Sequence, residues 1–216
     1  MSLIAKFISF YKFGSNNIAL LGHPYALART EISRILKSLF VSINSKKILD
    51  VGCGSMPYRK LFRSYSIYHG LEYKKESEIS KTQATHFYDG TFFPFNDETY
   101  DVILCSQVLE HSFSPKLLLS EIFRVLEVKG SLYLTIPFLW PEHEQPYDSQ
   151  RFTSFGLIKI LEEVGFRVVS VNKTNPGLSA IIQLLIEWLE SISRLFIKGK
   201  LMLLAWRLIM FIPYTV

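Results

Sequence analysis

After Pro24, apolar residues recur at helical spacing. Ala28, Ile32, Ile35, Leu36 and Leu39 fall on one face, with Arg29, Glu31, Arg34 and Lys37 on the others. The pattern predicts a helix that covers a sheet ahead of its first strand, with Asn44 and Ser45 making the turn between them. Ile48, Leu49 and Val51 form a short apolar run, as expected of a strand buried on both faces. Gly52 and Gly54 break it, and Pro57 with Leu61 and Phe62 predicts a helix just beyond the turn. The run "SIYHGLEYKK" predicts a second strand ending at Glu72, and Lys74 to Lys81 a solvated loop or short helix. Tyr100 to Cys105 predicts another strand. Ser114 and Pro115 open a helix with Leu118, Ile122, Val125 and Leu126 inward, and Gly130 is expected to stop it. "SLYLTIPF" predicts a strand, Phe155 to Phe166 a helix closed by Gly165, and "FRVVSVNKT" a further strand.

A buried strand, a glycine turn and a helix start together imply an α/β fold with a nucleotide at the carboxyl edge of a parallel sheet. The nucleotide is not a dinucleotide of the usual kind. A G-x-G-x-x-G loop wants a third glycine where this chain has Pro57, which argues against a nicotinamide oxidoreductase. Asp50, at the strand end, would repel a pyrophosphate and suits a cationic, phosphate-free ligand. Glu72 lies about twenty residues past the loop, where a carboxylate can accept from both hydroxyls of a ribose.

Composition narrows the class. The 216 residues fit one domain of ordinary size, and 49% of them are hydrophobic. The net charge of +5 is scattered rather than clustered with aromatics, so nucleic acid is not an expected partner. Two cysteines, Cys53 and Cys105, make no disulfide framework and read as reduced thiols of a cytoplasmic protein. Residues Met1 to Leu21 are apolar and aromatic but hold Lys6 and Lys12 and no small-residue cleavage site, so a packed N-terminal arm is expected instead of a signal peptide. The tail has two apolar runs, Leu178 to Leu189 and Leu201 to Val216, each shorter than the roughly twenty residues a spanning helix needs. With Trp188, Trp206 and several basic residues it reads either as a hairpin lying peripherally in a membrane interface or as a hydrophobic cap or homodimer face. The expected division is an arm over 1–22, a binding domain over 23–177 and an apolar helical tail over 178–216.

Two stretches, "KILDVGCGSMPYRKLF" and "ATHFYDGTFFPFNDETYDVILCSQVLEH", resemble the class I S-adenosylmethionine (SAM) methyltransferases. A third, "WPEHEQPYDSQRFT", resembles a branch of the type 11 methyltransferases often found beside cell-surface polysaccharide genes. The resemblance covers about residues 23 to 175. It implies a Rossmann-like fold, a mostly parallel central sheet with helices on both faces, and SAM as cofactor. It further implies that Asp50, Gly52, Cys53 and Gly54 pass the methionine part of SAM. Glu72 would hold the ribose. Asp89, with Gly90 beside it, would meet the adenine amino group, and Ser106 and Gln107 would face the adenosine and methyl region. The class usually closes with a seventh, antiparallel strand, and the final "PYTV" is short for one.

The loop after "SLYLTIPF" crowds Trp140, Glu142, His143, Glu144, Tyr147, Asp148 and Arg151 together, as an acceptor pocket requires. A hydroxyl acceptor must lose a proton, and a histidine can take one near neutral pH. His143 is the first candidate base and His111 the second, although Glu110 and His111 could equally fix the start of the next helix. A carboxylate acceptor needs no base. Arg151 either clamps an acidic residue of the loop or holds an anionic acceptor. Glu142, His143 and Glu144 are adjacent and point in different directions, with no further His or Cys at ligand spacing, so no metal is expected. The acceptor is expected to be a small molecule or glycan. The rival reading is a non-catalytic SAM-fold protein that binds a partner through its tail.

Overall fold

The computed structural model describes residues 26–40, 43, 46–62, 65–74, 82–174 and 177–196. The N-terminal arm, the 75–81 stretch and the second apolar run of the tail therefore lie outside the described residues. In chain order the elements are α1 (Ala26–Phe40), β1 (Lys46–Val51), β2 (Tyr65–Tyr73), β3 (His86–Tyr88), β4 (Tyr100–Ser106), α2 (Pro115–Val125), β5 (Leu126–Thr135), α3 (Ser154–Val164) and α4 (Leu178–Phe196). They fall into two compact units: 40–172, which holds the sheet, and 1–39 with 173–216.

The sheet has the order β3-β2-β1-β4-β5, and every pair is parallel. This is the Rossmann-like arrangement of the class I methyltransferase fold. The chain winds outward from β1 through β2 to β3, then returns to pair β4 on the other side of β1. That reversal leaves a crevice at the carboxyl ends of β1 and β4, where α/β sheets bind ligands. The apolar run of β1 is fully enclosed, with Ile48, Leu49 and Val51 at 0% exposure. Leu119, Ile122 and Val125 of α2 are enclosed as fully. Glu121 and Arg124 of α2 reach out to the chain ahead of β4. The Glu121 carboxylate accepts from Phe93 N at 2.7 Å, and Arg124 donates to the carbonyls of Phe93 and Phe95 and to Asp97. The 93–97 loop is thereby fixed to the helix. At the start of α3 the Thr153 hydroxyl accepts from Gly156 N, and Gly165 ends it in the left-handed region at φ 118°.

Three sequence expectations are corrected. The helix after the glycine loop is only a 3-10 turn, Arg59–Leu61, closed by Leu61 N donating to Tyr58 O. Phe62 then leaves the turn to stack on Phe40, ring centroids 4.0 Å apart. Burial of that ring, and not a helical face, explains the apolar pair. Gly130 does not stop α2. The helix ends at Val125, and β5 starts directly at Leu126 with a register shift between Tyr100↔Leu126 and Val102↔Ser131. The "EVKG" segment is absorbed as a bulge, with Lys129 at φ 70°. Residues 166–174 form no strand. Phe166 and Val168 pack on the core while Val169 and Val171 are 85% and 54% exposed, so the apolar character here reflects two anchored residues and not a sheet partner.

In the other unit, α1 up to Leu39 groups with α4. Gln183, 3% exposed, accepts from Ala28 N at 3.3 Å. One stripe of α4, Leu178, Ile181, Leu185 and Trp188, is exposed. No helix among the described residues is long and apolar enough to cross a membrane.

Candidate cofactor and acceptor site

The glycine loop follows β1 directly. Gly52 sits at φ 65°, and a Cβ there would stand 2.3 Å from Val108 Cγ2, so this glycine is required by packing against the chain beyond β4. Gly54 differs. It lies at φ 48°, and a Cβ on it would meet nothing within 4 Å. Its backbone therefore borders open space, a surface against which a ligand can lie. Its N–H donates to Glu72 Oε2 at 3.0 Å, which sets the carboxylate at the end of β2 over the loop. Cys53 shapes the loop from beneath. It is 2% exposed, its thiol faces Gly70 and burial pushes it up to about 12.

Asp50 also lies under the loop, 3% exposed, accepting from the Tyr68 hydroxyl at 2.7 Å. Burial pushes its carboxyl up to about 7, and the nearby Glu72 charge adds to the rise against the Tyr68 hydrogen bond. Asp89 is exposed past β3. Its Oδ1 accepts from Thr91 N at 2.9 Å, and the backbone donors of Thr91 and Phe92 hold it below the usual carboxylate range. Gly90 beside it has φ 96°.

On the other side of the crevice, Ser106 and Gln107 converge on a residue that sequence reasoning missed, Thr135. Its hydroxyl lies 2.8 Å from Ser106 Oγ and accepts from Gln107 Nε2 at 3.2 Å. Gln107, at φ 58°, also donates its N–H to Thr135 O. A polar residue ending "SLYLT" was the only sign of this tie between the carboxyl ends of β4 and β5.

The loop after β5 is organised by Arg151 and Asp148. The guanidinium forks onto the Asp148 carboxylate, with Nη2 to Oδ2 at 2.7 Å, and also donates to the carbonyls of Trp140 and Gln150. The Asp148 side chain is 2% exposed, and Arg151 holds it well below the usual carboxylate range. Of the two roles open to Arg151 in the sequence, the geometry is that of the structural clamp. Asp148 Oδ2 also accepts from His143 N and lies 3.0 Å from His143 Nδ1. His143 meets His111 edge to face, ring centroids 4.9 Å apart. Behind them Glu110 is 0% exposed, and neither carboxylate oxygen has a hydrogen-bond partner among the described residues. Burial pushes Glu110 up to about 7, and burial likewise holds His111 below the ordinary histidine value. One ligand atom each from Glu110, His111 and His143 lies within 4.8 Å of the others. Of the remaining loop residues, Glu144 reaches to 4.0 Å from His111 Nε2, Tyr147 rests its ring near Phe113, and Glu142 is exposed.

Residues 49–134 match the family model described as a methyltransferase domain. An uncharacterised protein of Methanocaldococcus jannaschii is 29% identical over 149 residues, covering 66% of this chain and 64% of its own length. A Bacillus subtilis protein, YrhH, proposed in its name to be a methyltransferase, is 24% identical over 70% of this chain and 85% of its own. Among solved structures, an S-adenosylmethionine dependent methyltransferase from Mesorhizobium loti has a TM-score of 0.56 at 15% identity, over 72% of this chain and 90% of that one. Residues 49–134 are thus similar to the type 11 methyltransferase domain, and the sheet has the class I SAM-dependent methyltransferase fold. SAM is the cofactor of that domain. The loop fits it: Gly54 offers bare backbone, Glu72 a ribose acceptor, and the Glu72 carboxylate disfavours a diphosphate in the same place.

Proposed function

We propose that the protein methylates a hydroxyl of a small-molecule or glycan acceptor, using SAM. Two features support this reading: the glycine loop with Glu72 set over it at the carboxyl end of β1, and the His143–Asp148–Arg151 assembly in the loop after β5. SAM supplies an electrophilic methyl group. Gly52 and Gly54 present backbone to the methionine part, Glu72 accepts from the ribose, and Asp89 with Gly90 borders the adenine. Asp50, Cys53 and Tyr68 hold the loop in shape from below. On the acceptor side, Arg151 fixes Asp148, Asp148 accepts from the His143 backbone N–H, and His143 Nδ1 faces both Asp148 Oδ2 and the Pro141 carbonyl. The Nε2 of His143 is then left to take the acceptor hydroxyl proton. Trp140, Glu142, Glu144 and Tyr147 supply the walls. His111 supports the His143 ring.

A polar loop rich in carboxylates and an exposed apolar stripe on α4 favour a sugar acceptor carried at a membrane surface, with peripheral contact through 178–216. The test is transfer of labelled methyl from SAM to a panel of acceptors, beginning with sugars and lipid-linked sugars. His143→Ala should lose turnover while keeping SAM binding, and unchanged turnover would remove His143 from the mechanism. SAM binding with no transfer to any acceptor, together with capture of a protein through the tail, would favour the non-catalytic reading.

A further inference from the structure

We infer that Glu110, His111 and His143 form a binding site for one divalent transition-metal ion of the zinc type. The three come from different places in the sequence, the turn after β4 and the loop after β5, yet their ligand atoms lie within 4.8 Å of one another. Two imidazoles and one carboxylate are a donor set that zinc and its neighbours accept, and three protein ligands leave a coordination position open. Ligand atoms about 2 Å from a tetrahedral zinc stand about 3.3 Å apart, so the three side chains must draw closer on binding.

Glu110 supplies an independent reason. Its side chain is 0% exposed, neither oxygen has a hydrogen-bond partner among the described residues, and His111 Nε2 stands 3.9 Å from Oε1. A carboxylate in such a place is costly unless paired, and a cation between the two histidines is the partner the geometry offers. The surroundings are built for a ligating histidine. His143 Nδ1 lies 3.0 Å from Asp148 Oδ2, and Asp148 is itself forked by Arg151. A carboxylate on one ring nitrogen fixes the tautomer and frees the other nitrogen for a metal. Glu144 Oε2, 4.0 Å from His111 Nε2, borders the open side.

The inference goes beyond the proposed function and changes one part of it. With an ion present, His143 is a ligand and not the base. An acceptor oxygen in the open position would be acidified by the ion and held for transfer.

The test uses the full chain, free of any purification tag and stripped with chelator. It is titrated with Co²⁺, followed by visible absorption, then with Zn²⁺ in competition. One ion per chain is expected, with an absorption band of a low-coordinate site that Zn²⁺ abolishes. Glu110→Gln and His143→Ala should each weaken binding about a hundredfold, and Asp148→Asn about tenfold, because it acts through His143. Glu110→Gln removes a buried charge and should fold, as circular dichroism checks. His86→Ala, a histidine of β3 outside the trio, should bind as wild type. Absence of a bound ion, or equal binding by both ligand variants, overturns the inference. SAM binding is measured beside it, so loss of the cofactor reading and loss of the metal site are seen separately.

Discussion

His111 and His143 meet edge to face at 4.9 Å, although one follows β4 and the other follows β5. The contact rests on an acidic support, since Asp148 holds His143 and is itself locked by Arg151. Arg151→Gln should therefore loosen the loop and lower turnover strongly, with SAM affinity unchanged. A near-buried ion pair broken on one side costs about 2–4 kcal/mol, so a fall in melting temperature is expected too. Arg151→Lys should rescue little, because a lysine cannot fork onto Asp148 and reach the Trp140 carbonyl together. Kinetics beside calorimetric SAM binding for the two variants check this.

The two loop glycines should separate by function. Gly52→Ala drives a Cβ into Val108 and should destabilise the fold by about 2–4 kcal/mol, partly recovered by adding Val108→Ala. Gly54→Ala meets open space. Its folding cost should be only about 1 kcal/mol, from the positive φ, while SAM affinity falls at least tenfold. Denaturant melts beside SAM titrations distinguish the two.

Asp50 sets a pH dependence. Burial lifts its carboxyl from 3.8 to about 7, so between those values the folded state holds a proton that the unfolded state has lost. Stability from this group therefore falls as pH rises from about 4 to 7 and levels off above. Asp50→Asn keeps an acceptor for Tyr68 and should remove the Asp50 share of the slope, leaving the share of Glu110, which burial also lifts to about 7, and should gain on the order of 2–4 kcal/mol relative to wild type at pH 8. Urea unfolding across pH 5 to 8 reads it. A parallel slope in the variant would assign the dependence elsewhere.

Much of this was legible in the sequence because it is local. The apolar run of β1, the paired glycines and Glu72 are short-range signals, and each stands where its spacing predicts. The end of α3 was readable from Gly165 for the same reason. What the sequence hid is long-range. Nothing near Thr135 says that Ser106 and Gln107 will converge on it. The partner of His143 could not be found by ligand spacing, because His111 reaches it only through the sheet. Cys53 and Asp50 sit in the right motif, yet their side chains face inward, since period and motif fix position along the chain more firmly than the direction of a loop side chain. The 166–174 stretch is rich in valine like a strand, but a strand needs a partner edge, and composition cannot supply one.

The most direct test of the central claim is calorimetric titration of the purified chain with SAM, for wild type and for Glu72→Ala. The account predicts one SAM per wild-type chain with micromolar affinity, weakened at least tenfold in Glu72→Ala as the ribose loses its acceptor. A folded wild-type chain that takes up no SAM, or a Glu72→Ala chain that binds as tightly as wild type, would contradict it.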